Sequence, residues 1–379
     1  MIKAAFSFLL LLCAVLPASA DVRVDRIEKV GREIVRAFNE RDEKGFLAVV
    51  DMDVLGQRVA QGMQLSPTDQ KSFLEGFRRG GARNLVLTLF KALDSTQGTV
   101  RFLRVVPPSK VLVRFDLGGQ GYDYYEFIVQ PDVYGGLRAV DWFQLSRGAL
   151  VSQAVGALAQ LMIAPSPDLL RSLFGLKTVD KAIIDQMQGI SAKQREGRYA
   201  EALAEIERLP DPIANSRVML QTRVGTASMA KLDDAYRSAL GQLAQRYGDD
   251  PSAAFLLLDH YFFERQTDKI LEAVTTIEKR VGVDGVTRLF RANASMMAGR
   301  YDEAVKFAQE SIRLEPDLLD SYYSLAEGYL GQKRYPEAVA TLSGAGAKFG
   351  LVFDRAEFAK DPRYAELMKS AAFRKWLPK

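Results

Sequence analysis

The sequence predicts an α+β domain, in which helices pack on a four-stranded antiparallel curled sheet, followed by an all-α solenoid. Three observations predict it. Gly299-Arg300-Tyr301-Asp302-Glu303-Ala304 recurs as Lys333-Arg334-Tyr335-Pro336-Glu337-Ala338, and Tyr301 and Tyr335 stand 34 residues apart. That is the period of a helix–turn–helix unit that cannot bury its apolar face alone and buries it against the next unit. Residues 99–145 instead read as strands joined by short turns, with Val111, Val113, Phe115 and Leu117 alternating with Leu112, Arg114 and Asp116 as in a half-buried sheet. Between the two patterns, Ala164-Pro165-Ser166-Pro167 stops a helix and makes a short, semi-rigid linker. The chain is therefore divided into a leader (1–20), an α+β domain (21–163), a linker with a first helix (164–179), helical repeats (180–350) and capping helices (351–379).

Lys3, the apolar run from Ala4 to Leu16 and Ala18-Ser19-Ala20 have the layout of a cleavable secretory signal. The run is shorter than the roughly 20 residues of a membrane span, and Pro17 follows it. Leu12 precedes Cys13 where a lipoprotein signal carries a small residue, so lipidation is not expected. Cys13 is the only cysteine in the 379 residues. A cleaved chain then has no disulfide, no thiol nucleophile and no cysteine metal site. No later apolar run is long enough to span a membrane. The formal charge is +4, with both signs interspersed, unlike the concentrated basic face of a nucleic-acid binder.

In chain order, residues 25–46 read as an amphipathic helix through Ile27, Val30, Ile34, Val35 and Phe38. A short helix over 51–63 follows. Ser66-Pro67-Thr68-Asp69 starts a third, carrying Phe73, Phe77, Leu85, Leu89 and Leu93, with Gly80-Gly81 bending it midway. Strands are expected at 99–106, 111–117, 122–130 and 137–145, with short connections that make an antiparallel meander. A small-residue-rich helix over 147–162 closes the domain. Beyond the linker nearly everything reads as helix, at 168–175, 179–195, 218–228, 232–247, 253–265, 268–281, 285–298, 302–314, 317–330 and 336–348. One or two final helices occupy 354–377. Gly197-Arg198-Tyr199-Ala200-Glu201-Ala202 is a third copy of the repeated phrase, three periods of 34 before Tyr301. The stretch between these copies is therefore expected to be degenerate repeat.

These phrases resemble the tetratricopeptide repeat. With Gly285 as first position, Ala292, Tyr301, Ala304 and Pro316 suit the family's small, aromatic, small and closing positions. Tyr322, Leu325, Ala326, Tyr329, Tyr335, Ala338 and Ala345 suit the next unit. Gly350 departs from the closing proline, and Arg288 stands where a bulky apolar residue is usual. The resemblance implies a peptide-binding groove lined by the units' first helices. It carries that role onto Leu289, Asn293, Met296, Met297, Asp320, Tyr323 and Glu327. The family's basic, carboxylate-binding groove is not matched, and Asp320 with Glu327 would suit a neutral or basic partner. In the first half, three helices before a four-stranded curled sheet resemble nuclear-transport-factor-like or cystatin-like folds, and Leu65-Ser66-Pro67-Thr68-Asp69-Gln70 leading into Phe73 and Phe77, with Asp141-Trp142 before the closing helix, is similar to the soluble periplasmic phospholipid carriers.

Each residue type that could carry catalysis also has a structural reading. His260, the only histidine, lies in the apolar stretch 255–263 and reads as a packed structural residue. With the one histidine in so apolar a stretch a Ser/His/Asp triad is not expected, and without a mature cysteine Cys/His triads and His/Cys zinc sites are excluded. Asp51 with Asp53 and Asp123 with Glu126 are the closest carboxylate pairs, and a carboxylate hydrolase is a third reading. Gly118-Gly119-Gln120-Gly121 joins two strands and lacks a following Lys-Ser/Thr, so it is a hairpin turn and not a phosphate loop. Arg78, Arg79 and Arg83 form a small basic cluster, read as a solvated face or an anion site. Phe115, Tyr122, Tyr124, Tyr125, Phe127, Trp142 and Phe143 would form the sheet's core or line an apolar pocket.

The expectation is an exported, periplasmic or secreted bacterial protein. It acts as a non-enzymatic interaction module that binds another protein or peptide segment, without cofactor, metal or nucleic acid. The alternative is a carrier or sensor of an apolar small molecule or lipid in the first domain, with the repeats as docking platform.

Overall fold

The computed structural model describes residues 16–63, 65–162 and 181–378. Residues 1–15 of the expected leader lie outside them, as do the linker and the helix expected at 168–175. Residues 1–239 and 240–379 form two compact units.

Helix α1 runs Leu16–Glu40, α2 Glu43–Val49, α3 Met52–Gly62, α4 Pro67–Gly76 and α5 Ala82–Thr96. The single helix expected over 25–46 is two. Arg41 takes φ 56°, and the Asp42 carboxylate accepts the Gly45 amide at 2.9 Å, capping a new helix. Ser66 caps α4 as the sequence predicts, accepting the Asp69 amide at 3.2 Å. The glycine bend between α4 and α5 is one wide π turn, Phe77–Gly81.

Strands β1 (Thr99–Val106), β2 (Lys110–Asp116), β3 (Tyr122–Pro131) and β4 (Leu137–Gln144) pair in sequence order, all antiparallel. Register shifts at Phe102/Arg104 and Ile128/Val129 bend this open sheet. A fifth strand, β5 (Ala149–Leu150), was not expected. Gly148, at φ 61°, reverses the chain so that Leu150 pairs with Phe143. Helix α6 (Val151–Met162) therefore starts four residues later than the sequence pattern suggests.

The core of this domain is a stack of rings. Phe38 lies 4.9 Å from both Phe46 and Phe115, Phe115 lies 4.1 Å from Tyr125, and Phe127 lies 5.3 Å from Trp142. Of the aromatics expected to form the core or line a pocket, Phe115, Tyr125, Phe127 and Trp142 are buried in the cluster between sheet and helices, Tyr124 is buried outside that cluster, and Tyr122 and Phe143 are half-buried. Edge-to-face and tilted rings interdigitate at contact distance, so the sheet does not stand off from the helices.

The solenoid helices are α7 (Lys181–Arg195), α8 (Tyr199–Ile206), α9 (Asp211–Ala214), α10 (Arg217–Met229) and α11 (Asp233–Tyr247), then α12 (Leu258–Phe263), α13 (Thr267–Val281), α14 (Gly285–Met297), α15 (Tyr301–Leu314), α16 (Leu319–Gly331) and α17 (Tyr335–Phe349). One backbone feature recurs through them. Gly197, Lys231, Arg265, Gly299 and Lys333 all have positive φ, at intervals of 34 residues. Each donates its amide three residues back, and the following residue donates five residues back, as in Arg198 to Lys193 O, Leu232 to Ala227 O and Gln266 to Tyr261 O. This is a left-handed helix stop with its orphan carbonyls satisfied. The stretch between the preserved copies thus keeps the same turn.

The helix expected over 253–265 is shortened to α12. Asp250 accepts from the Ser252 amide and hydroxyl, and the chain passes through a 3₁₀ turn before α12 begins. Gly350, where the resemblance leads one to expect proline, ends α17 at φ 68°. The C-terminal cap is three short helices, α18 (Arg355–Lys360), α19 (Ala365–Lys369) and α20 (Ala371–Trp376). Phe358, Leu367 and Phe373 bury their side chains in the core of the last repeat. No described helix is long and apolar enough to cross a membrane.

Candidate functional site

Helices α14 and α16, the first helices of the last two units, lie side by side, and the cleft along them is the candidate site. Their positions follow from small residues. Ala292, Ala304, Ala308, Ala338 and Ala345 are completely buried, which lets each helix pair approach closely. Asp284 caps α14 by accepting the Thr287 amide at 2.8 Å, while Thr287 Oγ1 accepts the Asp284 amide at 3.1 Å. The buried Glu315 carboxylate at the end of α15 accepts the Gly285 amide at 2.8 Å. A Cβ on Gly285 would fall 2.7 Å from Glu315 Cβ, so only glycine admits this contact. Ser311 donates to Gly285 O at 2.6 Å and lies 2.6 Å from Ser321 Oγ, tying α14, α15 and α16 together.

Arg288, the departure from the family pattern, has a structural role. It pairs with Glu278 at 3.1 Å and Glu310 at 3.0 Å, and Arg291 pairs with Glu278 at 2.6 Å. Both guanidiniums lie over the Phe307 ring, at 5.7 and 6.0 Å. A strut of charge and ring here takes the place of an apolar contact.

The cleft has a volume of about 740 Å³. Asn293, Met296 and Met297 of α14 and Asp320, Tyr323 and Glu327 of α16 line it. Leu289 does not: it is 3% exposed, one turn of helix from Asn293 but turned into the core. Seven further residues line it that were not projected onto the groove: Ser324, Leu330 and Gly331 of α16, with Tyr301, Arg265, Arg363 and Tyr364. Tyr301 begins α15 and lies so close over α16 that a Cβ on Gly331 would be 2.3 Å from its ring. Arg265 comes from the preceding left-handed turn, and Arg363 and Tyr364 come from the cap. The equal spacing of Arg265 and Gly299 marks the former in the sequence. Nothing local marks Arg363.

Arg363 changes the electrostatics of the cleft. Its guanidinium donates to Glu327 at 2.8 Å and to Asp361 at 2.7 Å, and lies 5.8 Å from the Tyr364 ring centre. The Arg363 hydrogen bond holds the Asp361 carboxyl below the usual carboxylate range. Burial, then the neighbouring Glu327 charge, raises the Tyr364 phenol. The acidic bias expected from Asp320 and Glu327 is therefore offset by Arg363 and Arg265. Ser324 donates to Asn293 Oδ1 at 2.6 Å, which orients the amide at the cleft floor.

The other candidates resolve into structural roles. His260 is half-buried beside Tyr261, with centroids 5.7 Å apart. Asp51 caps α3 through the Val54 amide at 3.0 Å, and Asp53 pairs with Arg78 at 2.7 Å. Asp123 accepts from Ser146 and Gln144, and burial raises its carboxyl above the ordinary range. Glu126 holds Lys110 at 2.8 Å. Arg83 pairs with Glu43 at 2.9 Å, so two of the three cations in the basic cluster are neutralised. Among the described residues no group of three or more His, Cys, Asp or Glu side chains could hold a metal.

Residues 295–350 match the tetratricopeptide repeat family model. The matched segment contains Met296, Met297, Tyr301, Asp320, Tyr323 and Glu327 of the cleft. Similar solved structures include MamA, 17% identical with TM-score 0.35 over 45% of this chain and 96% of that one. PilW, a widely conserved type IV pilus biogenesis factor, is 12% identical with TM-score 0.35 over 52% and 91%. A tetratricopeptide repeat protein from Parabacteroides merdae ATCC 43184 is 14% identical with TM-score 0.37 over 59% and 82%. No curated protein matches the chain.

Proposed function

We propose that this chain is an exported interaction module whose α14–α16 cleft takes a segment of another protein, and that its role is binding and not catalysis. The observation that carries this reading is the composition of the cleft. Unbranched Met296 and Met297 and the amphipathic rings of Tyr301, Tyr323 and Tyr364 face an open volume between two rigid helices. Such side chains adapt to a docked helix or extended strand while the scaffold stays fixed. With acids and arginines balanced, apolar and aromatic anchors on the partner would supply most of the affinity. Export rests on the leader sequence, residues 1–20, whose last five residues fall within α1.

The test is capture in the cell. Photo-crosslinking from position 297, with mass-spectrometric identification, names the partner segment, and the segment is then titrated as a peptide. Tyr323→Ala with Met296→Ala leaves the fold intact by circular dichroism and weakens binding by about 2 kcal/mol, roughly thirtyfold in Kd. An unchanged Kd in the double variant overturns the reading.

A further inference from the structure

We propose that the tip of the β3–β4 hairpin, together with the start of α1, is a contact surface for an anionic lipid bilayer. Val133 and Tyr134 at that tip are 92% and 93% exposed. The loop is built to hold them out. The Asp132 carboxylate accepts the amides of Tyr134 at 2.9 Å and Gly136 at 2.8 Å, and Gly135 turns the chain at φ 79°. Arg26 donates to Gly135 O at 2.8 Å, which pins the tip to α1. Val24, two residues earlier in that helix, is 38% exposed. Between residues 23 and 150, Val24, Val133 and Tyr134 are the exposed large apolar side chains among the described residues. They gather at one end of the domain.

The charge at this end suits an anionic surface. Arg23, Arg26 and Lys29 are exposed on α1. Asp25 is exposed with them, Glu28 is paired with Arg32 at 2.6 Å, and the Asp132 carboxylate is committed to its own loop. A projecting tip of two side chains offers far less area than a stable protein interface, which takes about 800 Å² from each partner. A bilayer has no such requirement. Valine enters the boundary of the acyl chains, tyrosine rests among headgroups, and the cations meet anionic lipid. The contact is weak, reversible and sensitive to salt.

The experiment is co-sedimentation of the exported protein, its N-terminus established by mass spectrometry, with vesicles of phosphatidylglycerol and phosphatidylcholine or of phosphatidylcholine alone. The native protein sediments with the anionic vesicles at low salt and less at high salt. Val133→Asp with Tyr134→Asp reduces sedimentation by about tenfold without moving the unfolding midpoint, because both side chains are exposed. In Tyr134→Trp, emission shifts to the blue when anionic vesicles are added. Equal sedimentation of the native and double-variant proteins overturns the proposal, and so does no sedimentation of either. A double variant that loses a protein partner, while vesicles retain neither form, makes the tip a protein contact and also overturns it.

Discussion

In the N-terminal domain, Phe38, Phe46, Phe115, Phe127 and Trp142 are each exposed by 3% or less, with neighbouring centroids 4.9–6.4 Å apart. In the last two repeats the most deeply buried positions are mostly alanines and serines, and Tyr301, Tyr323 and Tyr364 stand along an open cleft. Both regions are rich in rings, yet one is closed and the other is not. The difference lies in what holds the elements apart. A sheet and a helix layer leave a gap that rings fill. Two helices joined every 34 residues by the same left-handed turn already touch through small side chains, so larger ones are pushed to the edge, where they can meet a partner.

Trp142→Ala should break this comparison most severely. The ring is wholly buried against Phe46 and Phe127, and its loss costs about 3–5 kcal/mol by denaturant unfolding. Trp142→Phe should cost far less, since the indole N–H has no hydrogen-bond partner. Next is Ala338→Trp, which forces a ring between α16 and α17. Overpacking there costs about 1–3 kcal/mol and should abolish cooperative unfolding of the last repeats in calorimetry. A melt like that of the native protein would remove Ala338 from its place as the residue that sets helix approach.

The smallest effect concerns the clasp of the cap on the cleft. Arg363→Ala should barely move the melting temperature at neutral pH, because the guanidinium is mostly exposed and its ion pairs are screened. The pH dependence has a definite sign. Asp361 has a folded pKa below its unfolded value, so its contribution is present above the ordinary carboxylate pKa and is lost as pH falls through the lowered folded one. The native and Arg363→Ala proteins should therefore converge in acid, below about pH 4. Differences that persist there would show that Arg363 acts through packing.

Much of the array was legible in the sequence. The repeated phrase, its third copy at Tyr199 and the closing positions at Pro316 and Gly350 gave the period, and six of the seven residues projected onto the groove line the cleft. Lys231 and Arg265 hide the same turn, because a left-handed residue is easy to recognise only when it is glycine. Leu289 is misplaced by position alone: helical phase puts it near Asn293, but its side chain turns toward the core. The break at Arg41 and the strand β5 depend on hydrogen bonds from Asp42 and on pairing with Phe143, which composition does not reveal.

The sequence by itself determined the two architectures and the 34-residue rhythm. Apolar periodicity along each element marks the architectures, and the repeat turn is closed by hydrogen bonds reaching no more than five residues back. Only the tertiary structure decided which rings fill a core and which line a cleft, that Arg363 reaches Glu327 across 36 residues, and that Arg26 holds the Val133–Tyr134 tip across 109. Those contacts depend on where separate elements come to rest, and no short stretch of sequence encodes that distance.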